Sequence, residues 1–248
     1  MLRLTFTSVP YVTVTSAEYG TRELQDWDCV ESLDLSLLQS TLQHVKDHGT
    51  LPPDTFSKED QNSVGDSHVS ADILAQYHDE VRAWLASIPG AGTSNTVRSV
   101  TIWIVDGFLL YPDPAARSPA AAQSPSRSQL AQLHHLTSTL FDVKLFLLST
   151  RDQTLSRRAG RSGYVTLEGF WMDPPGYVED IVWPNYARNH SWMFVDRDVS
   201  TNTIDPDRVA AAGIEVAPGE GQLGMKELLD WGVETLKKRI KSAFEAES

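Results

Sequence analysis

Asp106 is the one charged residue in an otherwise apolar run, VTIWIVDGFLLY at 100–111. A carboxylate is costly to bury unpaired, and ligands of parallel sheets collect beyond the carboxyl ends of the strands. An acid stationed there can hold a magnesium–water cluster or accept a hydroxyl proton in phosphoryl transfer. The plainer alternative is that it caps the Gly107-Phe108 turn. Arg157, Arg158 and Arg161 make a second group, whose guanidinium forks match phosphate oxygens. Arg161 shares a helical face with the pair before it if the helix runs on across Gly160. Either these arginines decorate an exposed helix end, or they close over a phosphoryl group with the Gly/Pro/aromatic stretch behind them as a lid. Trp27-Asp28 is the third. The ring can stack on a flat heterocycle while the acid holds ribose hydroxyls; equally, the ring can pack at a sheet edge and the acid cap the next helix. Tyr164, Phe170 and Trp171 offer the same stacking surface.

Other chemistries find little support. Seven histidines are scattered, the single cysteine is Cys29, and no GxSxG elbow occurs. A structural zinc site and an intrachain disulfide are therefore not expected. The formal net charge of -12 argues against broad adhesion to nucleic acid or to an anionic membrane. No apolar run approaches the ~18 residues of a spanning helix, and no secretory signal is legible. With one cysteine, a reducing compartment is expected, cytoplasm or nucleus.

The elements that must position these residues follow from period and punctuation. Residues 2–14 read as two short extended pieces broken at Pro10. Asp28 to Val45 carries leucines at helical spacing and stops at Gly49. Ser70 can cap a helix with Ile73, Tyr77, Val81 and Trp84 on its core stripe. The run at 100–111 suits a strand buried on both faces. The low-complexity stretch at about 112–128 reads as a loop insertion. A leucine helix at 130–140, a buried strand at 143–148 and a helix at 151–158 follow. A helix at 182–191, a strand at 192–195, a short strand at 213–216 and a closing helix from Met225 to Phe244 complete the chain. Interleaved helices and buried strands give an α/β class, a parallel sheet flanked by helices.

Four segments together carry a resemblance. QDWDCVESLD at 25–34, VDGFLL at 105–110, RRAGRSGYVTLEGFWMDPPGY at 157–177 and VWPNY at 182–186 resemble fungal nicotinamide riboside kinases. These are relatives of uridine kinase with a three-layer P-loop-kinase fold. The resemblance implies ATP-dependent, magnesium-dependent phosphorylation of nicotinamide riboside, or of its acid form, to the mononucleotide. By that likeness, Trp27, Asp28, Arg158 and Tyr164 bind the riboside, and Asp106 is the catalytic acid that works with Mg2+. Arg157 and Arg161 face the ATP phosphates, and Asp196 and Asp198 flank the adenine. The implied partners are a small-molecule riboside and a nucleotide, with neither nucleic acid nor membrane.

The sequence departs from that pattern at one place. Members of the family open with a buried strand, a GxxxxGK[ST] loop and an Asp thought to act as base. No GxxxxGK[ST] occurs in this sequence. Residues 1–23 are expected to be an atypical N-terminal segment. Residues 24–248 are expected to be a nucleoside-kinase-like domain with its lid at about 157–180, lacking the usual first strand and P-loop. Impaired catalysis follows as an expectation, either from an incomplete start or because the chain is a non-catalytic, nucleoside- or nucleotide-binding relative with a regulatory role.

Overall fold

The structure is a computed structural model that describes residues 10–58, 61–62, 65–88, 101–113, 115, 125–166 and 169–246. The described residues within 1–63 and 105–216 form one compact unit, and those within 64–104 and 217–248 form a second.

The first unit opens on an antiparallel hairpin, β1 (Tyr11–Ser16) and β2 (Gly20–Gln25), in register from Tyr11 opposite Gln25 to Ser16 opposite Gly20. The extended reading of 2–14 holds for the described part, and residues 1–9 lie outside it. A 3-10 turn at Val30–Ser32 leads to helix α1 (Leu35–His48). Asp34 accepts the Leu37 N–H at its start, and Gly49, in the left-handed region, ends it. After α3 (Pro125–Leu140), strand β3 (Lys144–Phe146) pairs in parallel with β6 (Ile214–Val216). Between them run α4 (Arg151–Ala159), the small hairpin β4 (Tyr164–Val165) and β5 (Phe170–Trp171), α5 (Trp183–His190) and α6 (Pro206–Ala211). A π-helical turn, Val178–Val182, runs directly into α5. The fold is thus mixed α/β, with parallel and antiparallel strand pairs flanked by helices.

Two apolar clusters hold this unit together. One joins Phe146 and Ile214 of the parallel pair to Trp192, Met193, Phe194 and Val209. The other packs Leu35 and Leu38 of α1 and Leu109 against Leu133 and Leu136 of α3. The second unit contains α2 (Ala71–Ser87), capped by Ser70 as expected, and α7 (Met225–Ala246). The apolar stripe of α2 is only half-buried, and none of the helix's residues is fully buried.

Three expectations are corrected. Residues 101–107 form no strand, and Ile102, Trp103 and Ile104 are 50%, 44% and 82% exposed. Among the described residues no strand pairs with this segment, and an unpaired run has no ladder to satisfy its backbone. Only its end enters the core, where Tyr111 donates to the Leu145 carbonyl and Trp192 Nε1 donates to the Tyr111 carbonyl. Residues 192–195 likewise form no strand. Trp192, Met193 and Phe194 are buried in succession, and Asp196 and Arg197 adopt positive φ. The chain therefore coils into 3-10 turns, with a single bridge from Phe194 to Ile204. Finally, α4 stops at Ala159 with Gly160 as its C-cap, so Arg161 does not continue the face of Arg157 and Arg158.

The β4–β5 hairpin depends on Gly163. Its φ is +81°, and a Cβ there would fall 2.8 Å from the Trp171 carbonyl oxygen, against backbone that has no freedom to give. Gly163→Ala is expected to cost about 1–3 kcal/mol and lower the melting temperature of this unit, read by calorimetry.

Candidate functional site

The site is built where β2 turns into Asp26-Trp27-Asp28. The Asp26 N–H returns to the Pro10 carbonyl at 2.9 Å, closing the base of the hairpin. Asp26, itself buried, accepts the Asp28 N–H at 3.0 Å. Asn185 of α5 grips both Asp26 oxygens, at 2.9 and 2.8 Å, and Arg188 donates to Asn185 Oδ1 at 3.0 Å. Burial raises the Asp26 pKa, and the Asn185 hydrogen bonds oppose that rise.

Held in this way, Asp28 is 8% exposed and lines a cavity of about 110 Å³. Phe108, Leu147, Val182, Trp183 and Tyr186 give that cavity an apolar wall, and Ser149, Thr154, Asn185 and Asn189 supply polar groups. Burial pushes the Asp28 pKa up to about 6, with the Arg158 charge and a hydrogen bond from Tyr177 pulling it down. Tyr177 is buried and bridges the turn: its hydroxyl accepts the Trp27 N–H at 2.9 Å and donates to Asp28. Burial, then the neighbouring Asp28 charge, raises the Tyr177 hydroxyl pKa.

Arg158 reaches the same corner from the last turn of α4. Its Nε and Nη2 meet the two Asp173 oxygens at 2.7 and 2.9 Å, and Trp171 Nε1 adds a third bond to Asp173 at 3.0 Å. Burial opposes the charged forms of both partners. The fork overcomes it, raising the Arg158 pKa and lowering that of Asp173. Trp171 stands edge-on to Trp27 and to Tyr177, each at 5.7 Å between centroids. Tyr164 pairs with Trp171 across the β4–β5 hairpin, and the Arg161 guanidinium lies 4.9 Å from the Tyr164 centroid. At the back of the cavity His190 is fully enclosed and stacks on Tyr186 at 5.0 Å; burial depresses its pKa to about 4.

Trp27, Asp28, Arg158 and Tyr164 therefore stand in one neighbourhood. Asp106 does not line the cavity. It is exposed, two residues before Phe108, on a segment that is not a strand. Arg157 is exposed as well. Asp196 and Asp198 sit on exposed turns, where Asp198 accepts the Ser200 N–H at 2.8 Å and its pKa is lowered by the Ser200 bonds. Among the described residues, no group of three or more His, Cys, Asp or Glu is placed to hold a metal ion. Reading the sequence alone assigns no role to Asp26, Asp173, Tyr177, Asn185 or His190. The signal available for them is spacing: Asn185 and Asn189 fall one turn apart on α5, and both are buried.

Comparison with known proteins settles the kinship. A nicotinamide riboside kinase of Schizosaccharomyces pombe is 30% identical over 224 residues, covering 90% of this chain and 80% of that protein. The chain belongs to the nicotinamide riboside kinase family. Nicotinamide riboside kinases of Saccharomyces cerevisiae and Eremothecium gossypii are 29% and 26% identical, over 74% and 75% of this chain. The chain spans 63% of the length of each of these two relatives. No protein-family model and no solved structure matches it. Family kinship accords with a nucleoside- or nucleotide-kinase type of activity, and among the described residues no helix is long and apolar enough to cross a membrane.

Proposed function

We propose that this protein serves the ATP-dependent phosphorylation of nicotinamide riboside or nicotinic acid riboside to the mononucleotide, and that the described site is its riboside-binding half. The observation that carries this reading is Asp28, a buried carboxylate opening on a cavity, in a family whose relatives are named for that riboside. Two vicinal ribose hydroxyls are donors, and a carboxylate held from behind by Tyr177 has lone pairs left to accept both. Phe108, Trp183 and Tyr186 on the wall offer flat apolar faces to a pyridine ring, and such faces attract a pyridinium cation. Trp27, Arg158 and Tyr164 support the same pose: Arg158 keeps a positive charge by Asp28, and the two rings flank Trp171. Residues 24–248, with a lid at about 157–180, constitute the kinase-like domain in this reading, of P-loop-kinase descent.

The ATP side is different. Magnesium in kinases sits on one or two carboxylates plus phosphates that a glycine-rich loop cradles. The residues present do not make that cradle: no GxxxxGK[ST] occurs, and Asp106, Arg157, Arg161, Asp196 and Asp198 are all exposed. The missing motif favours a second reading, a nucleoside- or nucleotide-binding relative without turnover.

Titration calorimetry with each riboside, followed by an assay for mononucleotide with ATP and magnesium, separates the two. Micromolar binding with mononucleotide formed is the result expected of the first reading. Binding without product assigns the second. A cooperatively melting sample that gives no heat of binding sinks both.

A further inference from the structure

We infer that Arg22 is a positioning residue: it holds the segment from Asp173 to Asp180, and through Tyr177 the carboxylate of Asp28, in binding geometry. The inference rests on reading Asp28 as the riboside acceptor, and it assigns a purpose to the N-terminal hairpin.

Arg22 projects from β2 and bonds on both sides of Tyr177. Its Nη1 donates to the Pro175 carbonyl at 2.6 Å, and its Nη2 donates to Asp180 Oδ2 at 2.7 Å. The two side chains are 21% and 15% exposed, so water competes weakly for the pair. Tyr19, at the hairpin tip, lies under the guanidinium with its centroid 4.6 Å away. The same ring closes on Gly176, where φ is +72° and a Cβ would fall 2.8 Å from the ring and 3.0 Å from Arg22 Nη2. The hairpin therefore grips the turn at Pro174-Pro175-Gly176 closely enough to require glycine.

Tyr177 hangs between the two gripped points, and its hydroxyl bonds the Trp27 N–H and the Asp28 carboxylate. Trp27 and Asp28 follow directly from the end of β2, whose base is tied by the Asp26 N–H to Pro10. The contacts close a ring: Arg22 to the Pro175–Asp180 segment, that segment through Tyr177 to Asp28, and Asp28 back along the chain to Arg22. Loss of the guanidinium opens the ring at a residue that does not itself line the cavity. Tyr177 is then free to leave Asp28 without any change in the residues that line the cavity.

Native-state amide exchange reads this directly, because the Trp27 N–H is protected by the Tyr177 hydroxyl. In Arg22→Gln and in Asp180→Asn, the Trp27 amide is expected to exchange at least tenfold faster, while the Leu136 amide in α3 keeps its wild-type rate. Arg22→Lys, which retains the charge facing Asp180 but not the fork, is expected to fall between the wild type and Arg22→Gln. In calorimetry Arg22→Gln is expected to weaken riboside binding at least fivefold. Unchanged exchange at Trp27, or equal acceleration at Trp27 and Leu136, overturns the inference, since the first shows no coupling and the second only lost stability. A wild-type protein that gives no heat with riboside removes the reading of Asp28 as acceptor and leaves the exchange result to judge Arg22.

Discussion

Arg158→Met is expected to lower the melting temperature of the unit holding the site by roughly 6–12 °C. Breaking a buried pair leaves Asp173 charged and half-enclosed, which costs about 3 kcal/mol, and about 2–4 °C accompanies each kcal/mol at this size. Arg158 and Asp173 are 20% and 16% exposed, so the lower end of the range for buried pairs applies. Arg158→Met with Asp173→Leu is expected to recover most of that loss, because no orphan charge remains. Binding should not recover with it. The Arg158 charge is the largest influence holding the Asp28 pKa down. Without it, Asp28 protonates at higher pH; loss of the Asp173 charge in the double variant offsets this only in part, so riboside affinity near neutrality is expected to fall in both variants. Differential scanning calorimetry and titration calorimetry on the same samples check the two halves. Recovery of affinity in the double variant would refute the electrostatic link.

Asp28→Asn is expected to melt higher than the wild type at pH 8 while binding riboside about a hundredfold more weakly. In the proposed pose, the loss follows from removing two charge-assisted hydrogen bonds to ribose, at about 1.5 kcal/mol each or more. The gain follows from linkage. With a folded pKa of about 6 against an ordinary 3.8, the native state holds the proton more tightly than the unfolded one. Stability is fully present below the ordinary value and is lost as pH rises through about 6, to an extent of about 3 kcal/mol. His190 works in the opposite sense. Its folded pKa of about 4 lies below the ordinary 6.5, so its contribution is present above 6.5 and is lost as pH falls through 4, by a similar amount. Between pH 6.5 and 4 the two nearly cancel in the wild type. In Asp28→Asn, only the histidine's loss remains: the variant's advantage at pH 8 shrinks to near zero at pH 4. In His190→Phe, stability relative to wild type rises on acidification. Melting curves across that range test both, and parallel pH profiles for all three proteins would refute the assignment.

Local signals made much of the fold legible. Ser70 and the Thr150–Gln153 capping box fix the starts of α2 and α4 almost to the residue. Gly49 fixes the end of α1, but the reading from Asp28 starts that helix seven residues early, because Asp34 and not Asp28 caps it. The leucine stripe of α3 and the short strands β3 and β6 are readable from period and length. Legibility failed where a neighbour decides. VTIWIVDGF has strand composition, yet composition cannot supply a pairing partner. WMFV has it too, and Asp196 and Arg197 turn the backbone instead. In the site, Trp27, Asp28 and Arg158 were visible from motif, whereas Asp26, Tyr177 and Asn185 were not. Each acts through a hydrogen bond to a residue far away in sequence, which no spacing rule reports.

Those distances in sequence bear on how the protein comes to exist. Asn185 bonds Asp26 across 159 residues, Arg22 bonds Asp180 across 158, and Tyr177 bonds Trp27 across 150. Long loops must be closed before such contacts reward the chain. During synthesis the hairpin and the Asp26–Asp28 turn leave the ribosome with their partners still unmade, and buried acids stay hydrated until α5 arrives. The corner around Asp28 is therefore among the last parts to assemble, and a nascent chain that stops short of Asn185 leaves Asp26 without the amide that grips it.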